Sequence, residues 1–180
     1  MKKNPKKKEK KKTKKAASPV PSEPKAPESI RFYGAYGSNL SEEQMAQRCP
    51  GAKPIGMAWL DDYRLCFRGE PGRVYLSVEP DPGNKVPLGI WKLKEGNEEA
   101  LDQYEEYPEL YDKQVLELMI ARDDGSITPR KVLLYVMKEG FPLGMPSSEY
   151  LEICENGYMD FGFGLYELQQ ALLLSKNQSE

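Results

Sequence analysis

The sequence predicts an α+β domain built on a mixed sheet or small barrel. Short β-type runs crowd residues 55–93, a helical pattern interrupts them, and two further helical segments gather near the C-terminus. That distribution is the pattern of an α+β chain rather than of a regular βαβ alternation.

The elements follow in order. Ile30–Tyr36 reads as a strand, interrupted by Gly37-Ser38-Asn39. Ser41-Glu42-Glu43-Gln44 has the S-x-x-Q form of a capping box and opens a short helix through about Arg48. Met57–Leu60, Tyr63–Phe67, Val74–Val78 and Leu88–Leu93 are β-type runs, with turn chemistry in Pro80-Asp81-Pro82-Gly83-Asn84 before the last of them. A helix is expected from Asn97 to about Glu106, ended by Pro108. Val115–Ala121 and Thr128–Met137 flank Asp123-Asp124-Gly125, a strong hairpin signal. After a loop over 140–146, Ser147 or Ser148 caps a helix to about Asn156, and a second apolar helix covers Leu165–Leu174. There is no internal repeat.

A chain of 180 residues, 39% of them apolar, has room for one ordinary domain. No run of about 18 apolar residues is present, so no membrane span is expected. The formal charge of −2 averages two unlike pieces. Residues 1–29 carry 11 lysines against 3 acids, while residues 30–180 hold the other 15 basic and 25 acidic groups. The first piece, with prolines at 19, 21, 24 and 27, has little to bury and is expected to be a disordered Lys-rich and Pro-rich tail ahead of a domain at 30–180. Its lysines suit nonselective polyanion contact or simple solvation. It holds no aromatic side chain to stack on bases, so no specific nucleic-acid partner is expected. The N-terminus lacks the apolar stretch of a secretory signal. Cys49, Cys66 and Cys154 form no CxxC pair, and their odd number suits reduced, buried thiols in a cytoplasmic setting.

The chain has no histidine. Ser-His and Cys-His nucleophilic mechanisms are therefore excluded, and acid–base work near neutral pH falls to Asp, Glu, Lys, Tyr or Cys. Two segments bear on this. Gly37 and Asn39 both tolerate positive φ, which lets successive N–H groups of Tyr36-Gly37-Ser38-Asn39-Leu40 point into one concavity suited to a carboxylate or phosphate. Many strand-to-helix turns share that shape. Further on, Leu101, Tyr104 and Pro108 form an apolar stripe, and Glu105 lies on it at i+4 from Leu101. A glutamate facing the core, with Asp102 nearby, has its pKa raised and suits a general base. A boundary displaced by one residue moves Glu105 to the rim instead.

Together these segments resemble the gamma-glutamylcyclotransferase family. The likeness spans residues 30–174 and rests on Tyr36–Leu40, Val78-Glu79-Pro80-Asp81-Pro82-Gly83, Ile90-Trp91-Lys92-Leu93, Leu101-Asp102-Gln103-Tyr104-Glu105, Tyr111, Tyr135 and Pro146–Tyr150. The resemblance implies a small mixed β-barrel flanked by helices. It implies an enzyme that releases an amine or amino acid from a small γ-glutamyl compound, leaving 5-oxoproline, with no metal or cofactor. It assigns Glu105 as catalytic acid/base and Tyr36, Gly37, Ser38, Asn39, Leu40 and Ser41 as the loop holding the glutamyl moiety. Tyr150 then contacts substrate, and Tyr111 and Tyr135 line the pocket. The segment 137–145 is expected on the leaving-group side. Glycine often follows the catalytic glutamate in the family, for close approach or a special backbone angle; here Glu106 follows. The alternative is a non-catalytic small-molecule binding module tethered by its tail, as a monomer or homodimer.

Overall fold

The computed structural model describes residues 32–177. The tail at 1–29 and the expected strand start at Ile30 lie outside the described residues. From β1 (Phe32–Ala35) the chain passes through a single 3-10 turn (Ser38–Leu40) into α1 (Glu42–Arg48). Two long strands follow, β2 (Lys53–Glu70) and β3 (Arg73–Lys92), then α2 (Asn97–Tyr104). β4 (Tyr111–Ala121) and β5 (Ile127–Met137) form the expected hairpin, and α3 (Ser148–Asp160) and α4 (Tyr166–Asn177) end the fold.

The strands close into a barrel in the order β1-β3-β2-β4-β5. Neighbours are antiparallel except at the closure, where β5 runs parallel to β1 with Tyr33 opposite Leu133. Period-2 alternation fills the interior. Val74, Leu76 and Val78, then Val86, Leu88 and Ile90, are buried along β3. In β5, Val132 through Tyr135 are all buried, because that strand is covered on both faces.

The four short β-runs expected between 57 and 93 are two continuous strands. Pro80–Asn84 does not reverse the chain. Asp61 pairs with Lys85 and Tyr63 with Pro80, so residues 81–84 bulge opposite Asp62. The turn chemistry is used locally there: the Gly83 N–H donates to Asp62 Oδ1 at 2.9 Å and Asn84 Nδ2 to Asp81 Oδ2 at 2.7 Å. The reversal falls instead between Glu70 and Arg73, at Pro71-Gly72.

Both helix caps behave as local chemistry requires. Ser41 Oγ accepts from the Gln44 N–H and Ser147 Oγ from the Tyr150 N–H. The Gln44 side chain leaves the capping-box role and accepts from Arg48 instead. Helix α3 packs onto the 3-10 turn through Gly157, where a Cβ would lie 2.6 Å from both Leu40 Cβ and the Ser41 nitrogen. Phe161 and Phe163 stack on each other between α3 and α4, and Phe161 meets buried Trp91 edge-on, so the Phe-Gly-Phe-Gly stretch is packing. Trp59, in a β-type run, is 38% exposed with Lys85 over its ring.

Candidate functional site

One end of the barrel opens into a cavity of about 110 Å³. Tyr33 and Tyr36 come from β1, Gly37, Ser38 and Asn39 from the turn after it, and Tyr75 and Leu76 from β3. Tyr104, Glu105, Glu106 and Leu110 come from the end of α2 and the chain beyond it; Tyr111, Tyr135 and Tyr150 open β4, end β5 and start α3.

Helix α2 stops two residues before the expected end, at Tyr104, and Glu105 caps it with its N–H bonded back to the Leu101 carbonyl. The rim position weighed as an alternative is not adopted. Glu105 is half-buried, and its Oε1 accepts from Asn39 Nδ2 at 2.7 Å. Enclosure of the carboxyl is the dominant effect and pushes its pKa from 4.5 up to about 7, against the opposing Arg48 charge and the Asn39 hydrogen bond. The expected repulsion from Asp102 is not the cause. Asp102 is turned away, accepting from Tyr135 Oη at 2.6 Å and pairing with Lys113, which also holds Glu98.

Asn39 is oriented from behind. Arg48 Nη1 donates to Asn39 Oδ1 at 2.6 Å and Nη2 to Gln44 Oε1 at 2.6 Å. The side-chain oxygen of Asn39 thus faces the guanidinium and its amino group faces the cavity, where it also donates to Tyr33 Oη at 2.9 Å. The guanidinium lies 3.5 Å over the centre of the Tyr104 ring, whose hydroxyl meets Ser38 Oγ at 3.0 Å. This arrangement joins α1, the turn and the end of α2 into one unit.

The tyrosines are held as neutral, fixed walls. Tyr36 Oη donates to the Tyr135 carbonyl at 2.6 Å, Tyr111 Oη donates to the Leu76 carbonyl at 2.9 Å, and Tyr150 Oη accepts from the Leu76 N–H at 3.1 Å. Burial, foremost, holds the pKa of each above the ordinary phenol range.

Three expectations about the loop need correction. Gly37 has φ −124° and Asn39 sits in the 3-10 turn, so neither uses positive φ. Space does not demand glycine there either, since a Cβ would stand 3.4 Å from Tyr150 Oη, an ordinary contact. Leu40 and Ser41 do not line the cavity. Leu40 is fully buried under α3 and its N–H is spent on the Gly37 carbonyl, while Ser41 is buried as the cap of α1. The turn leaves the Ser38 and Asn39 N–H groups, its first two donors, without intraturn acceptors. The segment 137–145 contributes nothing to the lining. It runs beside β2, with Gly69 N–H on the Pro142 carbonyl and Gly144 N–H on the Phe67 carbonyl.

Other lining residues carried no local signal. Tyr33, Tyr75 and Tyr104 look like ordinary strand or helix aromatics, and Arg48, which stands behind the turn and does not line the cavity, looks like the basic end of a helix. The α1 spacing puts Arg48 on the face of Gln44, one turn back, but nothing local aims it at Asn39.

A comparison with known proteins meets this geometry. The profile described as gamma-glutamyl cyclotransferase, AIG2-like, matches residues 33–157. The chain belongs to that family. Over 149 residues it is 30% identical to human gamma-glutamylcyclotransferase, covering 78% of this chain and 76% of that one. The mouse gamma-glutamylcyclotransferase is 27% identical over 139 residues, 73% of this chain and 71% of the other. A solved structure of a gamma-glutamyl cyclotransferase superposes with TM-score 0.64 at 26% identity, covering 78% of this chain and 85% of that one. The barrel described above is thus the fold of gamma-glutamyl cyclotransferases. Glu106, at the position where the resemblance led glycine to be expected, has φ 51°, the left-handed region that glycine adopts most readily.

Proposed function

We propose that the protein is a cofactor-independent gamma-glutamyl cyclotransferase, acting in a reducing compartment, with Glu105 as its general acid and base. The observation that carries this reading is the meeting of Glu105 with Asn39 in one tyrosine-walled cavity.

The substrate's own α-amino group is the nucleophile. Glu105, whose carboxyl titrates at about 7, takes a proton from the α-ammonium and so exposes the lone pair. The amine nitrogen attacks the γ-carbonyl carbon and closes a five-membered ring, and the carbonyl π electrons move to oxygen. Because both reacting groups belong to one molecule, the rate depends chiefly on holding it folded, which the fixed tyrosine walls favour. In this reading the Ser38 and Asn39 N–H groups, which have no acceptor within the turn, donate to the oxyanion or to the substrate α-carboxylate. As the oxyanion collapses, the bond from carbon to the leaving nitrogen breaks and Glu105 returns its proton to that nitrogen. The ring nitrogen, still carrying two hydrogens, passes one through Glu105 to the departing amine, which leaves as an ammonium. The products are 5-oxoproline and a free amine, and Glu105 is left as it began.

The test is incubation with a panel of γ-glutamyl dipeptides and γ-glutamylamines while 5-oxoproline is followed. Turnover that is lost in Glu105→Gln and retained on deletion of residues 1–29 is the expected result. Saturable binding of panel members without product overturns the catalytic reading in favour of a binding module.

A further inference from the structure

The rim of the cavity carries a pair of charges that the reaction as derived does not use. Glu106 follows Glu105 directly, lines the same cavity and is 49% exposed at its side chain. Its carboxylate pairs with the Arg73 guanidinium, which is 59% exposed and stands on the first residue of β3, where the chain has just reversed. Two residues on, Tyr75 lines the cavity and packs edge-on against Tyr150. Through its pairing with Glu106, a lining residue, Arg73 is tied to the rim of the cavity.

Resting on the proposed cyclotransferase reading, we propose that Arg73 determines specificity by receiving a carboxylate on the leaving amine, with Glu106 as the counter-ion it gives up. The leaving nitrogen must lie close to Glu105, which protonates it. The glutamyl part occupies the closed end formed by the Ser38–Asn39 turn and the tyrosines, so substituents on that nitrogen project along the chain toward 106 and the mouth. An α-amino acid as leaving group carries its carboxylate on the carbon bonded to that nitrogen, within reach of a rim guanidinium.

Charge supply points the same way. Among the described residues lining the cavity none is cationic, and Arg48 behind the turn is engaged with Asn39, Gln44 and the Tyr104 ring. Arg73 has a partner it can exchange. An ion pair between two half-exposed side chains is weak, because water competes for both charges, so opening it costs little. The released Glu106 carboxylate goes to water, while a carboxylate inside the mouth gains the forked donors of a planar guanidinium. A guanidinium on a long stem follows such a ligand, whereas Glu106 is tethered to a left-handed backbone position beside the catalytic acid.

The experiment compares γ-glutamyl-alanine with γ-glutamyl-isopropylamine, whose leaving groups differ only in a carboxylate replacing a methyl group. The readout is the ratio of their kcat/KM values in the wild type, Arg73→Gln and Glu106→Gln. The expected wild-type ratio favours the carboxylate by about tenfold, carried in KM. It falls toward one in Arg73→Gln and rises in Glu106→Gln, where the competing counter-ion is gone. Both positions are exposed, so folding is little at risk. A ratio unchanged by Arg73→Gln, or a wild-type preference for the amine, overturns the proposal and leaves the cyclotransferase reading standing. If neither compound is turned over, that reading fails, and the same ratio taken from calorimetric Kd values still decides the role of Arg73. Equal Kd values in wild type and Arg73→Gln, or no binding of either compound, overturn it.

Discussion

Replacing Glu105 with glutamine should make the protein more stable above neutral pH while abolishing turnover. In the unfolded chain the carboxyl ionises near 4.5; in the native cavity it holds its proton to about 7. Between those values the native state binds one more proton than the unfolded state, so stability falls as pH rises across the interval and levels off above it. At about 1.4 kcal/mol per pH unit, the native protein forfeits about 3 kcal/mol through this one residue by pH 8. Glutamine carries no charge to bury, and its side-chain oxygen keeps an acceptor for Asn39 Nδ2. The difference in unfolding free energy, variant minus wild type, should thus rise by about 2.5 kcal/mol between pH 5 and pH 8, since part of the total is already lost at pH 5. Urea unfolding of both proteins at several pH values measures it, and subtraction cancels every group the two share. A difference that stays flat across that range would refute the claim that enclosure of Glu105 sets its protonation.

Removing the Arg48 charge takes away an influence that lowers the Glu105 pKa, so Arg48→Gln should move the ascending limb of the kcat/KM profile to higher pH. An unmoved limb with an intact fold argues against that coupling. Gly157→Ala drives a methyl into Leu40 and the Ser41 nitrogen, and should cost about 1–3 kcal/mol in unfolding and raise KM by displacing the turn. A silent substitution would mean that α3 does not seat the turn. Tyr150→Phe leaves the Leu76 N–H without its acceptor, and should cost about 1–3 kcal/mol by urea unfolding. A change under a few tenths would show that water replaces the hydroxyl.

How far local chemistry carries can be judged from particular residues. Ser41 and Ser147 cap their helices because a side-chain oxygen needs only an N–H three residues on. The hairpin at Asp123-Asp124-Gly125 is equally local. By contrast, the bulge at 81–84 looks like a chain reversal until β2 and β3 are paired, since its polar residues satisfy one another either way. Trp59 resembles a core residue in any strand, and only the barrel's register turns it outward beneath Lys85.

The sequence by itself determined the absence of histidine chemistry, the helix starts, the β4–β5 hairpin and a glutamate set on an apolar stripe. Each depends on residues within about one turn of one another. Only the tertiary structure decided that Glu105 meets Asn39 across 66 residues of chain and that Tyr36 reaches the Tyr135 carbonyl across 99. It also set Arg48 behind the site and the Arg73–Glu106 pair at its mouth. Those contacts depend on barrel closure and strand register, which follow from the summed packing of many side chains and leave no mark within a short stretch of sequence.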